Sequence, residues 1–274
     1  MTSAGLTFTD PPRVTCDFVD GVVVIDLITL AECGRAAVRL GYPLLLPALA
    51  DVQVPVALAS KMDVEVRDAI QGVTVVTTID TGKLTWRFGA SRTVQVGYTG
   101  VPHRAVKFTD QPVQHDPATG VTVARVPVDT DGGGVDVFFA ELPLQLLDGF
   151  DLYKLWQWAA GLTRAHQPNY AAAIVTVPAQ QLTYDRLMNE IVDANPGVVE
   201  TCIQTCRAAL DETGVRVKVA TAMRLTRSVP PSFALGAHGP VVWWLAADDT
   251  PLAVTATRAE AWPDPQQTID FNFD

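Results

Sequence analysis

Cysteine is scarce in this chain, with four in 274 residues. At this length that does not make a disulfide framework, which belongs to short secreted domains with too little core. Cys202 and Cys206 stand as C-x-x-x-C. On a strand they share one face about 13 Å apart, beyond disulfide reach. On a helix they would be neighbours able to share a metal, but no histidine lies close in sequence, so they read as structural thiols. Histidine is as scarce: His103, His115, His166 and His238 keep no ligand spacing and have no Gly-x-Ser-x-Gly partner. Basic residues are outnumbered, 20 against 30 acidic, for a net charge of −10. Phosphate contacts need clustered Lys and Arg, so nucleic acid and anionic membranes are excluded as expected partners. Long apolar runs are missing, because Pro43, Pro47 and Pro55 interrupt them. The Met-Thr-Ser start lacks the basic and apolar regions of a signal peptide. The expectation is a soluble, cytoplasmic protein with no cofactor or metal, and not an enzyme.

What is present is core-forming material. Hydrophobic residues make up 48% of the chain and charged ones 18%, enough for a sizeable core and unlike a disordered chain. Gly132 to Gly134 has no following Lys-Ser/Thr and opens no helix, so it reads as a hairpin turn rather than a phosphate cradle. Asp148 and Asp151 flank a helix start and read as caps before acid–base groups. Trp156 and Trp158 lie in the same helical stretch and read as core.

Along the chain, Gly21 to Leu27 is a β-branched run that reads as a strand or strand-to-helix entry. Leu27, Ala31, Ala36, Ala37 and Leu40 predict a helix stopped at Gly41-Tyr42-Pro43. Pro47 is a candidate start of a short helix, and Val52 to Ala59 reads as a strand after Pro55 or a loop. Val64, Arg67 and Ile70 predict a helix over Met62 to Gln71, closed by Gly72. From Val73 the pattern is β: Val73 to Ile79, Thr93 to Tyr98, Arg104 to Phe108, Val121 to Val128 and Val135 to Ala140, separated by Gly, Pro and Asp turns. Gly149 to Arg164 is the clearest amphipathic helix. Ile174 to Leu182 predicts a strand, Tyr184 to Val192 a short helix, Asn195-Pro196-Gly197 a turn, and Val199 to Leu210 a strand. Trp243 and Trp244 point to opposite faces of a strand, one ring inward and the other partly exposed.

The stretch from Cys206 to Leu235 organises the rest. A strand runs into Asp211-Glu212-Thr213-Gly214, then Val215-Arg216-Val217-Lys218-Val219, Ala220-Thr221, Arg227-Ser228 and Pro230-Pro231, before a short strand at Phe233 to Leu235. This resembles the hinge and reactive loop of the serpin family, in which a buried strand ends in an acidic run and Gly, an Ala-Thr pair follows, and a bait bond precedes prolines. Three further stretches, in the family's order, are similar to serpin parts. Val73 to Phe88, with Lys83, Trp86 and Phe88, looks like the central strand of the main sheet. Val121 to Pro143 looks like a hairpin ending in Leu-Pro. His238 to Leu245, with Pro251 to Ala261 as its partner, looks like the closing hairpin around Asp248-Asp249. The resemblance covers roughly Val73 to Pro265.

The resemblance implies an α+β fold: one serpin-like domain over 1–265, with mainly antiparallel mixed sheets and a few helices. Its N-terminal part, 1–72, is shortened, 211–235 is the hinge and reactive-type loop, and 266–274 is an acidic and aromatic tail beyond the point where a serpin ends. It implies a loop presenting the bond Arg227–Ser228 to a protein partner, a trypsin-like serine protease being the class that takes Arg. The hinge residues would be Glu212, Gly214, Val215, Val217, Val219, Ala220 and Thr221. Inhibitory members insert a hinge rich in small residues into the main sheet. Three valines there demand more volume, and overpacking costs about 1–3 kcal/mol per site. The region before Val73 is also too short for the family's usual helical bundle. Two readings therefore stand: a bait-type binder of a protease, and a non-inhibitory structural or assembly protein that keeps the scaffold.

Overall fold

The computed structural model describes residues 7–9, 18–47, 49, 52–69, 72–129, 134–142, 151–212 and 231–272. The first part of the chain carries β1 (Thr7–Thr9), β2 (Val22–Ile25), α1 (Leu27–Arg39), β3 (Leu45–Pro47), α2 (Val56–Ala59), β4 (Met62–Ala69) and β5 (Gly72–Ile79). Then come β6 (Thr85–Trp86), β7 (Ala90–Val96), β8 (Pro102–His115), β9 (Thr122–Asp129) and β10 (Val135–Glu141). The last part has α3 (Leu152–Ala165), β11 (Tyr170–Pro178), β12 (Gln180–Leu187), α4 (Asn189–Ala194), β13 (Ile203–Leu210), β14 (Ser232–Ala234), β15 (Val241–Ala247) and β16 (Thr250–Thr257). A 3₁₀ turn follows at Ala259–Ala261. The fold is α+β, with mainly antiparallel pairing and a few helices. No helix among the described residues is long and apolar enough to cross a membrane.

One large sheet dominates, in the order β14-β11-β8-β9-β10-β15-β16-β2, with β7 also on β8 and β6 on β9. Its centre is the antiparallel set β9–β10–β15–β16, whose β-branched and aromatic residues are buried on both faces. Trp244 and Phe138 are cross-strand partners and stack at 5.4 Å, 3° from parallel. Helix α3 covers that face: Trp158 meets Trp244 edge-on at 5.9 Å, and the Trp244 indole donates to Thr163 Oγ1 at 2.8 Å. On the opposite face Phe139 lies 6.0 Å from Phe108, and Phe108 lies 4.9 Å from Trp86. Trp243 and Trp244 are both buried, so neither ring is left partly exposed as expected. The β15–β16 turn has Asp248 at φ +47° and Asp249 at φ +61°, the left-handed pair of a two-residue hairpin turn that twists with its strands.

Three two-stranded ladders stand apart from this sheet: the parallel β1–β3 and the antiparallel β4–β5 and β12–β13. The β4–β5 ladder rests on α1, which also packs on β16, and the β12–β13 ladder rests on β2. Cys33 of α1 donates to the Val75 carbonyl of β5 at 3.5 Å. Gln204 of β13 grips the backbone of Asp26 in both directions, accepting from its N–H at 3.0 Å and donating to its carbonyl at 2.7 Å. Asp26 itself caps α1, its carboxylate accepting from the Ile28 N–H at 2.9 Å and from the Thr29 hydroxyl at 2.9 Å.

Several expectations need correction. Met62 to Gln71 is not a helix: Met62–Ala69 is strand β4, because Val64 and Val66 alternate with Asp63, Glu65 and Arg67, and period two wins over the weaker 3.6 pattern. Glu65 and Arg67 bond side by side on its exposed face, as residues two apart on a strand do. The stretch from Tyr184 begins as strand β12, with Leu182 and Tyr184 inward, and the helix starts only at Asn189. Pro47 ends a strand instead of opening a helix, and the helical turn falls at Val56–Ala59 after Pro55. Strand β13 begins at Ile203 and not at Val199. Val73 to Phe88 is not one central strand. It is β5, a break at 80–84, and β6, and β5 pairs with β4 alone among the described residues.

The buried β15–β16 hairpin leads to an expected outcome. Hydrogen exchange should place the amides of Val241 to Leu245 and Val254 to Thr257 among the most protected in the protein. Rapid exchange along both strands would contradict the hairpin.

Candidate functional site

The acidic end of β13 is the most heavily tied point among the candidate residues. Arg104 lies on β8 with its side chain 4% exposed, facing Asp211 at 3% and Glu212 at 18%. Its Nη2 donates to Asp211 Oδ2 at 2.9 Å and to both Glu212 carboxylate oxygens at 2.9 Å. Its Nη1 donates to the Gln267 carbonyl at 2.6 Å. The Asp211 carbonyl accepts from the Trp86 indole at 2.8 Å. The Arg104 backbone is held on both sides, donating to the Pro263 carbonyl at 2.8 Å and accepting from the Ala179 N–H at 3.0 Å. One buried cation therefore faces two carboxylates, and its planar fork of donors suits that task where a lysine would not.

The far side of the candidate loop is fixed as well. Strand β14 pairs in parallel with β11, Ser232 opposite Ile174 and Ala234 opposite Thr176. The Pro231 carbonyl accepts from the Ile174 N–H at 2.8 Å. Phe233 packs on Tyr170 at 5.2 Å and His115 at 5.5 Å. Beyond it Gly236, at φ +94°, turns the chain, and a Cβ there would meet Trp262 at 2.9 Å. The Glu141 carboxylate accepts from the Gly236 N–H at 2.6 Å and closes the turn.

Of the sequence-predicted site residues, Glu212 sits in this cluster. Gly214, Val215, Val217, Val219, Ala220, Thr221, Arg227 and Ser228 lie outside the described residues. Trp86 reaches the site by its bond to Asp211, Lys83 lies over the Phe271 ring, and Phe88 is exposed. Sequence reasoning missed Arg104, Asp26 and Gln204. The one signal for Arg104 was a cation inside the apolar run His103-Arg104-Ala105-Val106.

The other titratable groups are held in packing. Burial pushes the Cys202 and Cys206 thiols up to about 12, so both stay protonated. The four histidines have separate partners. His103 packs on Trp262 at 4.6 Å, His115 Nδ1 lies 2.9 Å from Thr122 Oγ1, His166 meets Phe138 at 5.6 Å, and His238 lies 3.2 Å from Glu141. No group of three or more His, Cys, Asp or Glu among the described residues could hold a metal ion.

No family model matches the chain, and no curated protein matches it. Among solved structures it is similar to Serpin48, a highly specific serpin of the insect Tenebrio molitor, at 10% identity and a TM-score of 0.47, over 69% of this chain and 57% of that one. It is also similar to Tengpin, a thermophilic serpin in its native state, at 9% identity and a TM-score of 0.45, over 70% of this chain and 57% of that one. The chain thus spans under two thirds of the length of either neighbour.

Two outcomes follow from the geometry. Removing Arg104 strands two carboxylates in a closed site. Arg104→Ala should therefore cost about 3–5 kcal/mol in urea unfolding. Adding Asp211→Asn should recover part of that loss, and strict additivity of the two changes would refute the coupling. The second concerns pH. Burial lowers the His103 pKa below the ordinary histidine range, and burial lowers His166 in the same direction. A group depressed by folding stabilises fully above its unfolded pKa, about 6.5, and that stability is lost as pH falls through the folded value. Stability should drop as pH falls below about 6.5, and His103→Gln should flatten the drop. An unchanged slope would rule out the His103 contribution.

Proposed function

We propose that the chain is a serpin-like binding protein that presents the Met223 to Val229 stretch, with the bond Arg227–Ser228, to a protein partner. A trypsin-like serine protease is the partner class whose specificity pocket fits Arg227. What carries the reading is that the segment 213–230 has both flanks fixed. Upstream, Asp211 and Glu212 are pinned to Arg104. Downstream, Pro231 and β14 are pinned to β11. A segment between two fixed flanks can offer one bond to a partner while the body stays folded, and Pro230 and Pro231 stiffen the chain behind that bond.

The Val-Arg-Val-Lys-Val run favours a non-inhibitory version of this reading. Entry of such a run into a packed sheet would bring three branched side chains where small ones are usual. The protein is then a scaffold that a protease cuts as a plain substrate.

Incubation with trypsin, followed by denaturing gel electrophoresis and N-terminal sequencing, tests both parts. Cleavage is expected at Arg227–Ser228 before Arg224 and the other basic sites, with trypsin activity fully retained and no rise in melting temperature after the cut. A covalent complex at near-equal stoichiometry, abolished by Arg227→Ala, would replace the scaffold by an inhibitor. Resistance of the intact protein to trypsin would overturn the presentation of this bond altogether.

A further inference from the structure

We infer that residues 263–272 act as a releasable clasp, joining the connection between β5 and β6 to the β12–β13 ladder and holding Arg104 in its pose against Asp211 and Glu212. After the buried Trp262 the chain forms no ladder. It runs over β8 instead. The Pro263 carbonyl accepts from the Arg104 N–H at 2.8 Å, the Pro265 carbonyl from the Arg92 guanidinium, and the Gln267 carbonyl from Arg104 Nη1 at 2.6 Å. A turn between Asp264 and Gln267, closed by the Gln267 N–H at 3.0 Å, sets its direction.

From there the segment alternates, with Ile269 buried, Asp270 exposed and Phe271 half-buried. The Asp270 N–H donates to Gln181 Oε1 on β12 at 3.3 Å, and Gln181 is the cross-strand partner of Ala209 on β13. The Phe271 ring takes the Lys83 ammonium at 4.1 Å from its centroid, and Lys83 belongs to the stretch that follows β5. One short piece of chain therefore touches both the 80–84 connection and β12, which share no strand pairing with each other among the described residues.

The attachment is suited to release. Between Thr268 and Asn272 it consists of two apolar anchors, one cation–π contact and a side-chain hydrogen bond, with no ladder to unzip. It is also coupled to the hinge through a single group. The Arg104 guanidinium gives Nη1 to the clasp and Nη2 to Asp211 and Glu212, while its buried Nε has no hydrogen-bond partner among the described residues. Lifting the clasp removes the acceptor of Nη1, and turning the guanidinium toward a new partner must disturb its bonds to Asp211 and Glu212.

The inference stands apart from the reading of Arg227–Ser228, because its test uses no protease. Hydrogen exchange is measured on the full chain and on its Ile269→Ala/Phe271→Ala variant, with Gln181→Ala as a second variant that leaves the clasp sequence intact. Both variants should speed exchange of the 203–212 and 80–86 amides by about tenfold or more, with β15–β16 unchanged. A synthetic peptide covering 266–274, added in excess to the double variant, should slow those amides again. Unchanged exchange at 203–212 in both variants would overturn the clasp. So would acceleration that spreads through β15–β16, which would make the segment part of the global core, or a peptide without effect, which would show that the contact is not releasable.

Discussion

Arg104 carries a charge in a place where charge is costly. Taking a guanidinium out of water costs several kcal/mol after relaxation, and only close, well-aligned partners offset it. Asp211 and Glu212 are those partners, and each of them needs the cation in turn. The consequence is geometric. β8 lies in the large sheet, Asp211 ends the β12–β13 ladder, Ala179 lies between β11 and β12, and Gln267 belongs to the clasp. A single side chain with its backbone thus sets the distance between four parts of the chain. A hydrophobic contact could hold them together, but it would tolerate sliding. A fork with fixed donors does not.

The same constraint explains how two small ladders persist. An isolated two-stranded hairpin is at best marginally stable in water. The β4–β5 ladder borrows its stability from α1, through Cys33 and the helix face, and the β12–β13 ladder from β2 and from the two bonds between Gln204 and the Asp26 backbone that follows it. Helix α1 is fixed on β16, and β16 belongs to the hairpin that buries Trp244 under α3. Stability therefore descends from the large sheet to the helix and then to the ladders, and the polar contacts at the Asp211 end decide their relative position.

Much of the fold was legible because β-branched runs bounded by Gly, Pro and Asp identify strands without ambiguity. The β5, β9, β10 and β15–β16 segments all have that form. The mixed-charge stretches were misread for a common reason. In Met62 to Ala69 and Gln180 to Leu187 the polar residues are as frequent as the apolar ones, so a helical face can be drawn through a few of them, and tertiary pairing decides in favour of period two. The site was legible only on its acidic side. Asp211 and Glu212 stand out before Gly214, but Arg104 lies 107 residues from its partner Asp211, and Gln204 lies 178 from Asp26. No local pattern encodes such a pairing. Gln267, which acts through its carbonyl, has no side-chain signature at all.

The charge distribution bears on how a partner would meet the loop segment. From Thr213 to Pro230 the sequence holds Arg216, Lys218, Arg224 and Arg227 and no acidic residue. The remaining chain then carries 16 basic residues (20 less 4) against all 30 acidic ones, a formal charge of −14 around a +4 segment. At physiological ionic strength fields fade over about 8 Å, so only the charges near the point of approach steer a partner. A partner with a basic rim and a carboxylate in its recess meets attraction from both. One with an acidic rim is repelled by the body before it reaches the cations. Under the proposed function, the sign of the body would filter partners by their rims, and Arg227 would select among those that remain by the fork it offers to a carboxylate.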